Sequence, residues 1–173
     1  MLRSSSSAGT PKSFAKASRL DVVGSDVPFF LNPVPSVGRG RGELLQETAL
    51  PENLPLLLIP GVFPISAAWG YRHWQDVPRS GRYDLDALLK ALSAGDYAAA
   101  GGLLCNDLEG AAVRKFPLLA RFFGLLRESG GAPLMSGSGS TVFALYRGFA
   151  ERDRAFESLK NEISQYDAVL VKS

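Results

Sequence analysis

The sequence has little of what metal sites and disulfides need. It contains one cysteine, Cys105, and one histidine, His73. A single cysteine excludes an intramolecular disulfide, and one cysteine with one histidine cannot supply the nitrogen and sulfur ligands of a zinc site. No spacing of serine, histidine and aspartate suggests a catalytic triad. We therefore interpret His73 as a structural or surface residue and predict no metal-ligating side chains.

Excess charge and long apolar runs are also absent. The chain has 19 Lys and Arg against 17 Asp and Glu, for a net charge of +2, and the basic residues are spread along it rather than clustered as nucleic-acid binding requires. No apolar run reaches the roughly 18 residues of a membrane span. With 46% hydrophobic residues, the chain can bury a core of its own. We expect a soluble protein that binds neither nucleic acid nor membranes.

Residues 1–20 are small, polar and basic, with no acidic side chain. They lack the apolar region of a secretory signal. Such a start is typical of an organelle transit peptide, and equally of a flexible or spurious terminal segment. We expect a cytoplasmic protein, or a plastid protein if the source is a plant.

The pattern of apolar residues after this start predicts an α+β protein. Leucines at 85, 88, 89 and 92 recur at helical spacing behind the candidate N-cap Asp84. Further helices are predicted after Ser66, from Asp96 with a break at Gly101–Gly102, through the stripe of residues 118–126, and around residues 156–163. Strands are predicted for 27–31, 54–60, 142–146 and 168–171. Helices on one side of a mostly antiparallel sheet fit this order.

The segment Met135–Phe143 is the most informative stretch. It contains Gly137 and Gly139 among the hydroxyl residues Ser136, Ser138, Ser140 and Thr141. Glycines allow positive φ, so the backbone N–H groups of such a turn can converge on an anion. We expect an exposed polar loop between a helix and a core strand, although an ordinary Gly/Ser connection has the same composition.

Asp26 lies between Gly24–Ser25 and the apolar run Val27–Leu31, where a loop runs into a core strand. A carboxylate in this position can take a proton from a substrate hydroxyl. The alternative is a turn in which Asp26 accepts hydrogen bonds from nearby backbone N–H groups. Asp107 and Glu109, two residues apart, would point to different faces of a helix, and we interpret them as surface or capping groups.

Glycines 38, 40 and 42 alternate with Arg39 and Arg41. Arg-Gly repeats can bind RNA, but this run is short and has apolar flanks. We favour a β-hairpin or bulge.

Taken together, four motifs resemble a known family: Gly24–Phe30, Gly38–Glu43, Asn106–Glu109 and Met135–Phe143. Their order and separations are similar to those of the 4-diphosphocytidyl-2-C-methyl-D-erythritol kinases, members of the GHMP kinase superfamily. The resemblance covers residues from about 20 to 173, and four ordered motifs are far more specific than one glycine-rich loop. No internal repeat is present.

The resemblance implies a fold, an activity and a site. Residues 51–173 would be a ferredoxin-like GHMP kinase C-terminal domain, and residues 21–50 a remnant of the N-terminal domain. The activity would be transfer of the ATP γ-phosphoryl group, with Mg²⁺, to a hydroxyl of the cytidyl-diphospho-methylerythritol substrate, a step towards isoprenoid precursors by the non-mevalonate route. Asp26 would be the catalytic base or would orient the hydroxyl. The loop of Ser136, Gly137, Ser138, Gly139 and Ser140 would border the phosphates and substrate.

The sequence also departs from the family pattern. The family's early lysine and its glycine-rich ATP phosphate loop have no counterpart in these residues, and Ala67 stands where relatives commonly have a hydroxyl residue. We therefore expect an incomplete kinase, whose partner would be the missing N-terminal half, and no turnover by the chain alone. The alternative is a non-catalytic GHMP-like binding or interaction module. The oligomeric state is not predicted.

Overall fold

The computed structural model describes residues 34–40, 42, 44–77 and 83–173. The chain divides into two compact units between Leu50 and Pro51. Asp26 and the strand predicted at 27–31 lie outside the described residues. The assignment of residues 21–50 to an N-terminal domain remnant therefore remains a prediction.

The first unit contains an antiparallel hairpin of β1 (Ser36–Arg39) and β2 (Leu44–Glu47). In its turn, the Gly42 N–H donates to the Arg39 carbonyl at 3.1 Å. Gly40 and Gly42 have φ values of 70° and 106°, a region that side-chain-bearing residues disfavour. The hairpin interpretation of the Arg-Gly run is confirmed.

The second unit alternates strands and helices. Its elements in chain order are β3 (Leu56–Ile59), α1 (Ala67–His73), a 3₁₀ turn (Trp74–Asp76), α2 (Leu85–Ser93), α3 (Tyr97–Leu103), α4 (Glu109–Lys115), α5 (Pro117–Glu128), β4 (Ala132–Met135), β5 (Val142–Leu145), α6 (Phe149–Ser164) and β6 (Val171–Lys172).

These strands form one antiparallel sheet in the order β4-β5-β3-β6. The helical segment α1–α5 connects β3 to β4, and α6 connects β5 to β6. The chain thus has the β-α-β-β-α-β arrangement of a ferredoxin-like fold, as predicted. In this topology the β4–β5 hairpin presents the connecting loop, residues 136–141, at one end of the sheet.

The core lies between one face of the sheet and the helices α5 and α6. Leu57 and Ile59 of β3 are fully buried, as are Val142 and Ala144 of β5, because alternate residues of a strand face the same side. From the helices, the cluster includes the side chains of Leu119, Phe122, Phe123, Leu125, Leu126, Ala155, Leu159 and Ile163. The predicted burial of the 118–126 stripe is confirmed, except that Leu118 is only half-buried.

Local signals explain several helix ends. The carboxylate of Asp84 accepts from the Ala87 N–H at 3.0 Å and caps α2, as predicted, and Ser66 caps α1 in the same way. After α5, Gly130 has a φ of 92°, and the Gly131 N–H donates to the Leu126 carbonyl at 3.0 Å. This is a Schellman ending, which favours glycine at the left-handed position.

Two sequence predictions were wrong in detail. Gly101 and Gly102 lie inside α3 rather than breaking it, and a Cβ on Gly101 would lie 2.8 Å from the Ala132 Cβ. Close packing against β4 thus accounts for Gly101. The closing strand is Val171–Lys172 instead of residues 168–171. None of the helices in the described part of the chain is long and apolar enough to cross a membrane.

Candidate functional site

The loop between β4 and β5 is a tight turn with a fixed base. The Ser136 N–H donates to the Thr141 carbonyl at 2.9 Å, and the Gly139 N–H donates to the Ser136 carbonyl at 3.0 Å. Gly137 has a φ of 56°, whereas the φ of Ser138 is not positive. Positive φ at only the first central position is the pattern of a type II′ turn, which requires glycine there.

The tip of this turn presents unused hydrogen-bonding groups. Within the described residues, the N–H groups of Gly137 and Ser138 have no hydrogen-bond partner, and neither do the hydroxyls of Ser136 and Ser138. Ser136 and Gly137 are exposed, and Ser138 is half-buried. Consecutive backbone N–H groups in such a turn form a concavity suited to an anion. The tip can therefore accept a phosphate oxygen without breaking an existing bond.

The second half of the loop has a different role from the one its composition suggests. Ser140 is only 4% exposed, and its hydroxyl donates to the Phe63 carbonyl and accepts from the Phe63 N–H. The Thr141 hydroxyl accepts from the Gly61 N–H at 3.0 Å. The expectation of one uniformly exposed polar loop is wrong here, because these two hydroxyls join the loop to the segment after β3.

Gly139 is held tightly from the inside of the loop. Its φ is 91°, and a Cβ there would lie 2.7 Å from the Met135 Sδ and 3.0 Å from the Ile65 Cδ1. Both the backbone angle and the space exclude a side chain. Gly139 thus lets the loop pack against the core, while Gly137 allows the turn at the tip.

The segment before α4 contacts the first half of the loop. The Asn106 Nδ2 donates to the carbonyls of Met135 and Gly137, both at 2.8 Å. The Asn106 Oδ1 accepts from the Leu108 N–H at 2.9 Å. A Glu109 carboxylate oxygen accepts from the Met135 N–H at 3.0 Å. Two side chains therefore hold the start of the loop from one direction.

Glu109 is consequently neither the surface group nor the helix-capping group expected from the sequence. It is half-buried, and burial raises the pKa of its carboxyl above the ordinary value, while the hydrogen bond from Met135 and the charge of Arg127 lower it. The spacing of Asp107 and Glu109 gave no sign of this contact. The one available signal was that Asn106–Glu109 belongs to the set of four motifs.

A groove of about 430 Å³ lies beside α1 and α4, lined by Trp69, His73, Asp76, Val77, Ala111, Arg114 and Lys115. The His73 ring stacks on the Trp69 ring with a distance of 4.7 Å between ring centres. The His73 Nδ1 donates to the Trp69 carbonyl at 2.8 Å. The Lys115 Nζ lies 4.2 Å from the centre of the indole. These contacts fit the structural role predicted for His73.

The predicted base, Asp26, lies outside the described residues, so its position relative to Ser136, Gly137, Ser138, Gly139 and Ser140 stays a prediction. Among the residues that the structure describes, no group of three or more His, Cys, Asp or Glu side chains could hold a metal ion. Ala67 is exposed at the first turn of α1.

Comparison with known proteins identifies a family for the part of the chain that contains the β4–β5 loop. Residues 88–165 match the family model described as GHMP kinases C terminal. They include α3 to α5, the β4–β5 hairpin with its loop, and α6.

Residues 88–165 belong to the GHMP kinase C-terminal family.

Individual proteins similar to this chain are also kinases of the GHMP superfamily. The 4-diphosphocytidyl-2-C-methyl-D-erythritol kinase of Pelotomaculum thermopropionicum is 37% identical over 124 residues, which cover 71% of this chain and 43% of the relative. The enzyme of the same name from Geobacillus kaustophilus is 32% identical over 148 residues, or 85% of this chain and 51% of the relative. The chain thus spans about half the length of the curated relatives it matches.

Solved structures support the same fold. A crystal structure of a 4-(cytidine 5'-diphospho)-2C-methyl-D-erythritol kinase matches with a TM-score of 0.68 and 32% identity, over 88% of this chain and 53% of that one. A homoserine kinase from Cytophaga hutchinsonii matches with a TM-score of 0.57 and 15% identity, over 80% of this chain and 46% of that one. The second match bears on the fold alone.

Proposed function

We propose that this chain is the C-terminal part of a kinase that transfers the ATP γ-phosphoryl group to a hydroxyl of 4-diphosphocytidyl-2-C-methyl-D-erythritol. The observation that carries the proposal is the turn at Gly137 and Ser138, whose two N–H groups have no partner in the described structure. Relatives named for this activity match the region that contains the turn. The order of the four sequence motifs supports the same substrate.

The turn suits a phosphate group by its chemistry. Phosphoryl transfer depends on positioning and on stabilising negative charge, and fixed backbone N–H groups provide both without a mobile side chain. The hydroxyls of Ser136 and Ser138 add two neutral donors beside them. We infer that this tip binds a phosphate of ATP or of the diphosphate substrate, whereas Ser140 supports the loop from beneath.

Two further parts of the proposal rest on the resemblance. Asp26 would accept the proton of the attacking hydroxyl or orient it. ATP chemistry in this family implies Mg²⁺, but the described residues offer no carboxylate cluster for it. We assign no described residue as its ligand.

The chain by itself should bind phosphate groups without turnover. It corresponds to about half the length of the kinases it resembles, and catalysis by positioned groups is lost when one side of the site is absent. A non-catalytic binding module would behave in the same way alone. Reconstitution separates the two functions, because only a kinase part should gain Asp26-dependent turnover when the other half is supplied.

The binding test compares two substitutions at one residue. Ser138→Pro deletes the N–H but suits the negative φ of that turn position, whereas Ser138→Ala deletes only the hydroxyl. Titration with inorganic phosphate and with ATP, followed by the backbone amide shifts of residues 136–139, should show binding by wild type and Ser138→Ala and at least about tenfold weaker binding by Ser138→Pro. Equal affinity of all three proteins would contradict the proposal.

The turnover test mixes the chain with a polypeptide that carries the unmatched half of the Geobacillus kaustophilus relative. ATP-dependent phosphorylation of 4-diphosphocytidyl-2-C-methyl-D-erythritol should appear in the mixture and disappear with Asp26→Asn. Turnover by the chain alone would refute the expectation of an incomplete site. Phosphate binding without turnover in the mixture would favour the binding module.

A further inference from the structure

Asn106 lies in an arrangement that leaves its amide only one orientation. Its Nδ2 faces the carbonyl oxygens of Met135 and Gly137, and its Oδ1 faces the Leu108 N–H. Carbonyls accept and an N–H donates, so the NH₂ group must lie towards the loop and the amide oxygen towards α4. Both hydrogens of the NH₂ group have a loop carbonyl within hydrogen-bond distance. The amide is therefore a fixed two-pronged donor to the loop.

The hydrogen bond from Asn106 to the Gly137 carbonyl determines the direction of the Ser138 N–H. The Gly137 carbonyl and the Ser138 N–H belong to one planar trans peptide unit, in which the C=O and N–H bonds point in opposite directions. Because Asn106 holds the Gly137 carbonyl, the Ser138 N–H must point away from Asn106. This N–H is one of the two with no partner within the described residues.

Glu109 fixes the neighbouring part of the loop. Its carboxylate accepts from the Met135 N–H at 3.0 Å, while Asn106 takes the carbonyl of the same residue. Met135 is thus held through both of its backbone polar groups, and its side chain is 1% exposed. Because Met135 is fixed at the start of the loop, the hydrogen bond from Asn106 to the Gly137 carbonyl can orient the tip.

We propose that Asn106 is a positioning residue, which turns the Ser138 N–H towards the bound phosphate, and that Glu109 supports it by anchoring Met135. The inference rests on the phosphate-binding role proposed above for the loop. It assigns a task to the Asn106–Glu109 motif, which touches the loop from behind and not the ligand.

The test replaces the donor by an acceptor of the same size. In Asn106→Asp, a carboxylate oxygen faces the carbonyls of Met135 and Gly137, so the three acceptors repel each other and the 137–138 peptide is released. Asn106→Ala removes the donor without repulsion. Phosphate affinity should fall at least about tenfold in Asn106→Asp and by a smaller factor in Asn106→Ala. The matched control is Asn161→Asp, the same change at an exposed position of α6. Its phosphate affinity should be unchanged.

A second measurement reads the orientation itself. Residual dipolar couplings of the Ser138 N–H, in protein without ligand, should change in both Asn106 variants and stay unchanged in Asn161→Asp, while couplings in α5 report that the fold is intact. If Asn106→Asp fails to fold, Asn106→Ala decides. Unchanged couplings at Ser138 in a folded Asn106 variant would overturn the inference. If wild type binds no phosphate, the proposed function fails, yet these couplings still decide the role of Asn106.

Discussion

The carboxyl group of Glu109 is partly buried and accepts a hydrogen bond from the N–H of Met135 at 3.0 Å. Burial favours the neutral form and raises the pKa of this carboxyl. The folded state therefore retains the Glu109 proton to a higher pH than the unfolded state does. In that interval the folded protein binds more protons, so the free energy of unfolding decreases as the pH rises through it.

The decrease in stability with rising pH can be tested with Glu109→Gln. This variant keeps an oxygen that can accept from the Met135 N–H but cannot ionise. The stability of wild type relative to the variant should be highest at about pH 4 and decline towards about pH 7. Urea unfolding at several pH values measures the difference. Glu128→Gln, an exposed carboxyl at the end of α5, is the surface control. A wild-type advantage that grows with pH would contradict the assignment.

At the scale of elements, the close approach of α5 to the β4–β5 hairpin depends on one residue. A Cβ on Gly131 would lie 2.8 Å from the Tyr146 Cζ, 2.9 Å from the Ala144 Cβ and 3.0 Å from the Leu126 carbonyl oxygen. Tyr146 cannot move away easily, because it is fully buried and its hydroxyl donates to the Ser129 Oγ at 2.7 Å, whose own proton goes to the Leu126 carbonyl.

Gly131→Ala should therefore destabilise the protein by about 1–3 kcal/mol through overpacking. The matched control is Gly102→Ala in α3, where a Cβ would meet nothing within 4 Å and alanine should stabilise by up to about 1 kcal/mol. Urea unfolding of both variants measures the two changes. A neutral or stabilising effect of Gly131→Ala would show that the crowding at Gly131 relaxes.

At the scale of the whole molecule, the hydrophobic core cluster of the described residues lies entirely between Leu57 and Leu170, within the second unit. This unit contains the complete four-stranded sheet and its helices. Among the described residues, the core cluster is therefore built from residues after Leu50.

A chain that begins at Pro51 should accordingly unfold in one cooperative transition. Leu57→Ala truncates a fully buried side chain and should lower the free energy of unfolding by about 2–5 kcal/mol. The decrease should be the same in the shortened chain and in the full chain. Denaturant unfolding of the four proteins measures this. A shortened chain without a cooperative transition, or a clearly different cost of Leu57→Ala, would show that the first 50 residues contribute to the core.

Elements whose signals are local could be predicted from the sequence. The leucines of α2 recur within one helical face and Asp84 supplies the cap, while β3 and β5 are short apolar runs bounded by turn residues. The motif order predicted a member of the GHMP kinase superfamily, and residues 88–165 match the GHMP kinase C-terminal model.

The contacts that hold the loop could not be predicted in this way, because they join residues far apart in the sequence. Asn106 reaches carbonyls 29 and 31 residues away in sequence, and Ser140 bonds to Phe63 across 77 residues. Periodicity and turn composition describe neighbours along the chain, so they could not distinguish the exposed Ser136 from the buried Ser140. The difference arises because β3 and β5 are paired in the sheet. This pairing brings the segment after β3 against one half of the loop, whereas the N–H groups at the tip have no hydrogen-bond partner within the described residues.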